Sequence, residues 1–189
     1  MNYLIRALSR CEFDYARDFF INDHNIKRTY LAMNPSDWAT QLLEENPDDI
    51  CLYMLWGNPS EWATQLLESK QDKIDWWGLS SNPSEWARNK LVQHPENINW
   101  NALSSNPSEW ARNKLDQHPE NINWDILSKN PSEWARDKLQ ENPTKIDWWH
   151  LSSNPSEWAL QLLEENQDKI KCKMLRLNPG IFYQEHAMW

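Results

Sequence analysis

"NPSEWARNKLVQHPENINW" spans residues 82–100, and "NPSEWARNKLDQHPENINW" follows at 106–124 with a single change, Val92 against Asp116. Near-identity at a fixed offset of 24 residues marks a repeat array in which each copy is one supersecondary unit. Outward from this pair, Asn-Pro recurs at Asn34, Asn58, Asn82, Asn106, Asn130, Asn154 and Asn178 with no insertion. Other columns keep the same step: Trp38 through Trp158, Ala39 through Ala159, Leu43 through Leu163, and Leu31 through Leu175.

Each unit reads as two helical pieces. Asn82 is the expected N-cap, with Pro83 at the first helical position, where its missing N–H costs nothing, and Glu85 at N3 as in a capping box. At 100° per residue, Pro83, Trp86, Ala87, Lys90 and Leu91 share an arc of about 140°, the expected core face. Ser84, Glu85, Arg88, Asn89 and Val92 fill the solvent side. Asn46-Pro47, His94-Pro95, His118-Pro119 and Asn142-Pro143 read as stops, a left-handed residue followed by one that cannot continue a helix. The second piece, such as "INWNALSS" at 98–105, is expected as a short α- or 3₁₀-helix capped by Asp75, Asn99, Asn123 or Asp147. Ile98, Trp100 and Leu103 are its expected buried positions.

Neither piece can bury its apolar stripe alone, so copies must stack and share a core. The expected fold is therefore an all-α solenoid of 24-residue repeats, each with one α-helix plus one short α- or 3₁₀-helix. Residues 1–33 form an N-terminal capping region in which Tyr15, Ala16 and Arg17 stand for the Trp, Ala and Arg of a unit. Residues 34–177 make six full repeats and 178–189 a C-terminal half-repeat cap, all in a single elongated domain.

Fourteen Trp residues in 189 must be buried or used for binding. A net charge of −9 and a pI near 5.0 argue against a polyanion binder, which needs clustered Lys and Arg. Cys11, Cys51 and Cys172 match no metal-ligand spacing and leave one over if two pair, which suits a reducing compartment. The longest apolar run, "CLYMLW" at 51–56, is far short of a membrane span, so no membrane association is expected. These features place the protein inside a cell.

Two readings of the Trp column compete. Indoles could stack nucleobases of single-stranded RNA while Arg88, Lys90, Arg112, Lys114, Arg136 and Lys138 track its backbone. Alternatively Lys90 lays its stem over Trp86 in the inter-repeat core, and Leu42, Leu66 and Leu162 in the Lys column favour this packing. Glu85 with Arg88, Glu109 with Arg112 and Glu133 with Arg136 are i,i+3 pairs, which further disfavours nucleic acid. His94 and His118 are explained by the helix stop rather than by a metal. Identical carboxylates in every copy lack the distinct environments that catalysis needs, so no enzyme activity and no cofactor are expected.

The favoured reading is a scaffold for protein–protein interaction, using the exposed stripe of Glu85, Arg88, Asn89, Glu109, Arg112, Asn113, Glu133, Arg136 and Asp137. The competing one is a structural, self-assembling component, a homo-oligomer formed through the edge of Phe182, Tyr183 and Trp189.

"LSSNPSEWALQLLEENQDKIKCKMLRLNP" at 151–179 resembles an Asn-Pro repeat of giant DNA viruses that infect protists, whose units look like "LSxNPxAIxLLExNxDKIDWxxLSxNP". The resemblance covers about residues 26–182 and rests on the Asn-Pro, Leu-Leu-Glu, Asp-Lys-Ile-Asp-Trp and Leu-Ser segments. Here Trp stands for an aliphatic residue at the fifth position, and the middle units have "ARNKL" in place of the Leu pair. More distantly the chain is similar to the leucine-rich-repeat variant, a solenoid of alternating α- and 3₁₀-helices. The resemblance implies a viral, solenoidal, non-enzymatic protein and no known ligand; the expected location is the host-cell cytoplasm or the virion, and the expected partner is a host or viral protein.

Overall fold

The computed structural model describes residues 28–70 and 74–181, and every element among them is helical. A 3₁₀-helix, Arg28–Met33, precedes the six repeats. Their first helices are Asp37–Glu44, Glu61–Glu68, Glu85–Gln93, Glu109–Gln117, Glu133–Glu141 and Glu157–Glu165. Their second helices are Leu52–Leu55, Trp76–Ser81, Trp100–Leu103, Trp124–Leu127, Trp148–Leu151 and Cys172–Leu175. Of the expected capping region 1–33, residues 28–33 form the 3₁₀-helix and residues 1–27 lie outside the described residues.

The first helix starts later than the sequence reading placed it. Ser84 is the N-cap, its hydroxyl accepting from the Ala87 N–H at 3.2 Å, and Ser60, Ser108 and Ser132 repeat the contact at 3.3 Å. Glu85 is thus the first helical residue rather than N3, and Pro83 is exposed rather than on the core face. The cause is the side chain of Asn82, which is engaged elsewhere and leaves the next hydroxyl to cap the helix.

The helix stop also differs. His94, His118 and Asn142 have φ near −130° and ψ near 62°, and no described non-glycine residue has a positive φ. The following proline pushes its predecessor toward extended backbone, which ends the helix without a left-handed residue. In three repeats the residue here is Asn, and Asn46, Asn142 and Asn166 donate from Nδ2 to the carbonyls of Leu42, Lys138 and Leu162 at 2.8–3.0 Å. Those carbonyls are among the last of the helix and would otherwise lack partners. A short 3₁₀ turn absent from the sequence reading follows, at Pro47–Asp49, Pro95–Asn97, Pro119–Asn121, Pro143–Lys145 and Gln167–Lys169.

The second helix forms where expected, capped by the carboxyl or amide oxygens of Asp75, Asn123 and Asp147. Leu103 is fully buried, but Ile98 and Trp100 are only half-buried and Ala102 takes the other inward place. The core is built from fully buried leucines at every twelfth position from Leu31 to Leu151, one per helix, and the fully buried alanines Ala39, Ala63, Ala87, Ala111, Ala135 and Ala159. Small alanines let helices approach while the leucines fill the space between them.

Contacts cluster the chain into two compact units, Met1–Asn99 and Trp100–Trp189. Within the first, the fully buried Asn58 donates from Nδ2 to the carbonyls of Ala32 and Asn34 at 2.9 and 3.0 Å, and Asn82 donates to those of Trp56 and Asn58 at 3.0 and 2.9 Å. Within the second, Asn130 bonds Ser104 and Asn106, Asn154 bonds Ser128 and Asn130, and Asn178 bonds Ser152 and Asn154 in the same way. Each Oδ1 accepts from the backbone two residues on, as from Ser84 and Ser132, so both amide hydrogens and the oxygen are used.

A second buried column reinforces this ladder. Ser80 Oγ accepts from the Asn99 N–H at 2.9 Å in the first unit, and Ser104, Ser128 and Ser152 accept from Asn123, Asp147 and Lys171 at 3.0 Å in the second. The fold is an all-α, solenoid-type tandem repeat.

Candidate functional site

With leucine, alanine, asparagine and serine columns turned inward, the remaining face of the first helix carries the charged stripe. In the first unit, Glu85 and Asn89 are exposed and Arg88 donates to Glu85 at 2.7 Å and to Asn89 at 3.3 Å. In the second, Glu109, Asn113, Glu133 and Asp137 are exposed, while Arg112 and Arg136 are half-buried along their stems. Arg136 pairs with Glu133 and donates from two nitrogens to Asp137 at 2.9 and 3.0 Å. The hydrogen bond to Asp137, with the charges of both acids, holds this guanidinium above its ordinary pKa. Arg112 differs: its Nε is buried with no hydrogen-bond partner among the described residues. Exposed pairs of this kind contribute at most about 1 kcal/mol each, so the stripe does little for the fold.

The tryptophan column is neither free nor deeply buried. Trp38 and Trp158 are 8% and 9% exposed, and Trp62, Trp86, Trp110 and Trp134 are half-buried. The Trp86 indole N–H donates to Glu68 of the preceding repeat, and Lys90 Nζ lies 3.8 Å from the same carboxylate and 5.8 Å from the Trp86 ring centre. The second unit repeats the arrangement: Trp134 donates to Asp116 at 3.1 Å, with Lys138 Nζ 3.0 Å from Asp116 and 5.6 Å from the Trp134 ring. An acid on one repeat thus clasps both the indole and the lysine of the next.

This clasp was missed in the sequence reading, although its one signal was in plain sight. Asp116 is the letter that differs between the two quoted stretches, and Val92 at the matching place is 58% exposed.

His94 and His118 turn their rings to Trp76 and Trp100, edge to face at 5.5 and 5.1 Å between centres. Their Nδ1 atoms lie 3.5 and 3.4 Å from Glu96 and Glu120. Among the described residues no three His, Cys, Asp or Glu side chains are grouped so as to hold a metal ion. Cys51 is half-buried and Cys172 exposed, both as free thiols. No described helix is long and apolar enough to cross a membrane. The proposed edge residues Phe182, Tyr183 and Trp189, and also Cys11, lie outside the described residues. No protein-family model, curated protein or solved structure matches this chain.

Proposed function

We propose that the chain is a non-enzymatic repeat scaffold that binds a protein partner through charged and polar first-helix positions, Glu85, Arg88 and Asn89 in the first unit and Glu109, Arg112, Asn113, Glu133, Arg136 and Asp137 in the second. The observation that carries this reading is the division of labour among columns. Buried Asn, Ser, Leu and Ala positions hold each repeat to its neighbour, and the Glu, Arg and Asn positions of the first helix take no part in that work while recurring almost unchanged in the three middle repeats. Repeat arrays commonly use such a surface for recognition.

The resemblance to viral Asn-Pro repeats supports a partner met inside an infected cell or in the virion. Packing of Lys90 and Lys138 over their indoles supports a structural role for the tryptophan column rather than base stacking. The test is affinity capture from host lysate with the chain and with Arg88→Glu, Arg112→Glu and Arg136→Glu combined. Loss of specifically captured proteins is expected, and an unchanged set would remove the stripe as the site. Light scattering at two concentrations, with and without residues 182–189, tests self-assembly: a mass that rises with concentration only when they are present favours that alternative.

A further inference from the structure

Between the first helices Glu133–Glu141 and Glu157–Glu165 lies an open groove of about 450 Å³, wholly within the second unit. Its floor includes Leu139, Ile146 and Leu162, and its rim includes Gln140, Gln161 and Glu165. The groove lies at a junction where the clasp is missing. One repeat earlier, Asp116 and Lys138 meet at 3.0 Å across the corresponding junction, and in the first unit Glu68 and Lys90 do so at 3.8 Å. Here Gln140 stands in the acid's column and Leu162 in the lysine's. The Trp158 indole N–H, deprived of its acid, donates instead to the Pro131 carbonyl at 3.1 Å.

We propose that this groove takes, from a partner protein, the lysine side chain that the clasped junctions supply from within the chain. The apolar floor suits the four-carbon stem, and the Glu165 carboxylate suits the ammonium. The side chains of Gln140, Gln161 and Glu165 make no hydrogen bond or ion pair among the described residues, so each is available to a ligand. Arg136 also lines the groove, but Glu133 and Asp137 already neutralise it. The net charge of −9 adds attraction for a cationic segment. This site shares only Arg136 with the charged stripe, and either can fail without the other.

The probe is Nα-acetyl-lysine methylamide, titrated into the full chain while the tryptophan indole N–H resonances are followed by NMR, with Trp158→Phe identifying the Trp158 signal. The Trp158 resonance should move saturably with the lysine probe and stay in place with the norleucine analogue, which has the stem without the ammonium. The pair Gln140→Asp with Leu162→Lys, which copies Asp116 and Lys138, should close the groove, keep the melting temperature and weaken the response at least tenfold. Glu165→Gln should weaken it without filling the groove. An unmoved Trp158 resonance, an equal response to norleucine, or a response that survives both sets of substitutions overturns the proposal.

Discussion

At the residue scale, the asparagine of each Asn-Pro pair matters more than its letter suggests. Asn130 satisfies two carbonyls of the preceding repeat, at the buried Ser104 and Asn106, and one N–H of its own, at the half-buried Ser132. Replacing it with alanine leaves those groups without partners, and at about 1–3 kcal/mol for each unsatisfied buried group the loss should reach about 3 kcal/mol or more. Asp116→Ala also breaks two contacts, to Trp134 and Lys138, yet these are exposed and the loss should stay below about 1 kcal/mol. Urea unfolding of the two variants measures both, and a ranking in the opposite order would show that the clasp rather than the ladder holds the repeats. A reading of the sequence placed this asparagine at the helix start because Asn is a good N-cap. Bonds that reach 24 and 26 residues back have no local signature, and only the unbroken Asn column hints at them.

At the element scale, exceptions to the repeat come in matched sets. Trp56 stands in the serine column, 3% exposed and stacked on Trp86 at 5.9 Å, where a serine would bond the next repeat. Gly78, on the facing second helix, makes room for it: a Cβ there would lie 2.8 Å from the Trp56 Cβ. Gly78→Ala should therefore cost about 1–3 kcal/mol by overpacking. In a Trp56→Gly background, which removes that Cβ, the same change should cost less, a coupling of at least about 1 kcal/mol in a double-mutant cycle. Strict additivity would mean that the two departures are unrelated. Gly180 is a similar case, replacing the capping serine where a Cβ would meet the Pro155 carbonyl oxygen at 2.6 Å. Helix existence and the leucine and alanine faces were legible from periodicity. Neither the 3₁₀ turn after the first helix nor the matching of Trp56 to Gly78 was, because one depends on backbone geometry at the helix stop and the other on contact between repeats.

At the scale of the whole molecule, within each unit neighbouring repeats are joined by the same small set of buried bonds, so stability should accrue junction by junction rather than from one central core. The stripe was legible as an exposed face but not as a set of unequal arginines, since the free Nε of Arg112 follows from side-chain placement that near-identical sequences do not reveal. The groove beside Trp158 was hidden because Gln140 and Leu162 look like ordinary variation until the clasp they interrupt is known. A series of peptides covering 106–129, 106–153 and 106–177 puts the dependence on neighbours to a direct test by far-ultraviolet circular dichroism. Helicity per residue should be near zero for one repeat and climb with each repeat added, whereas a lone repeat as helical per residue as three would contradict the account.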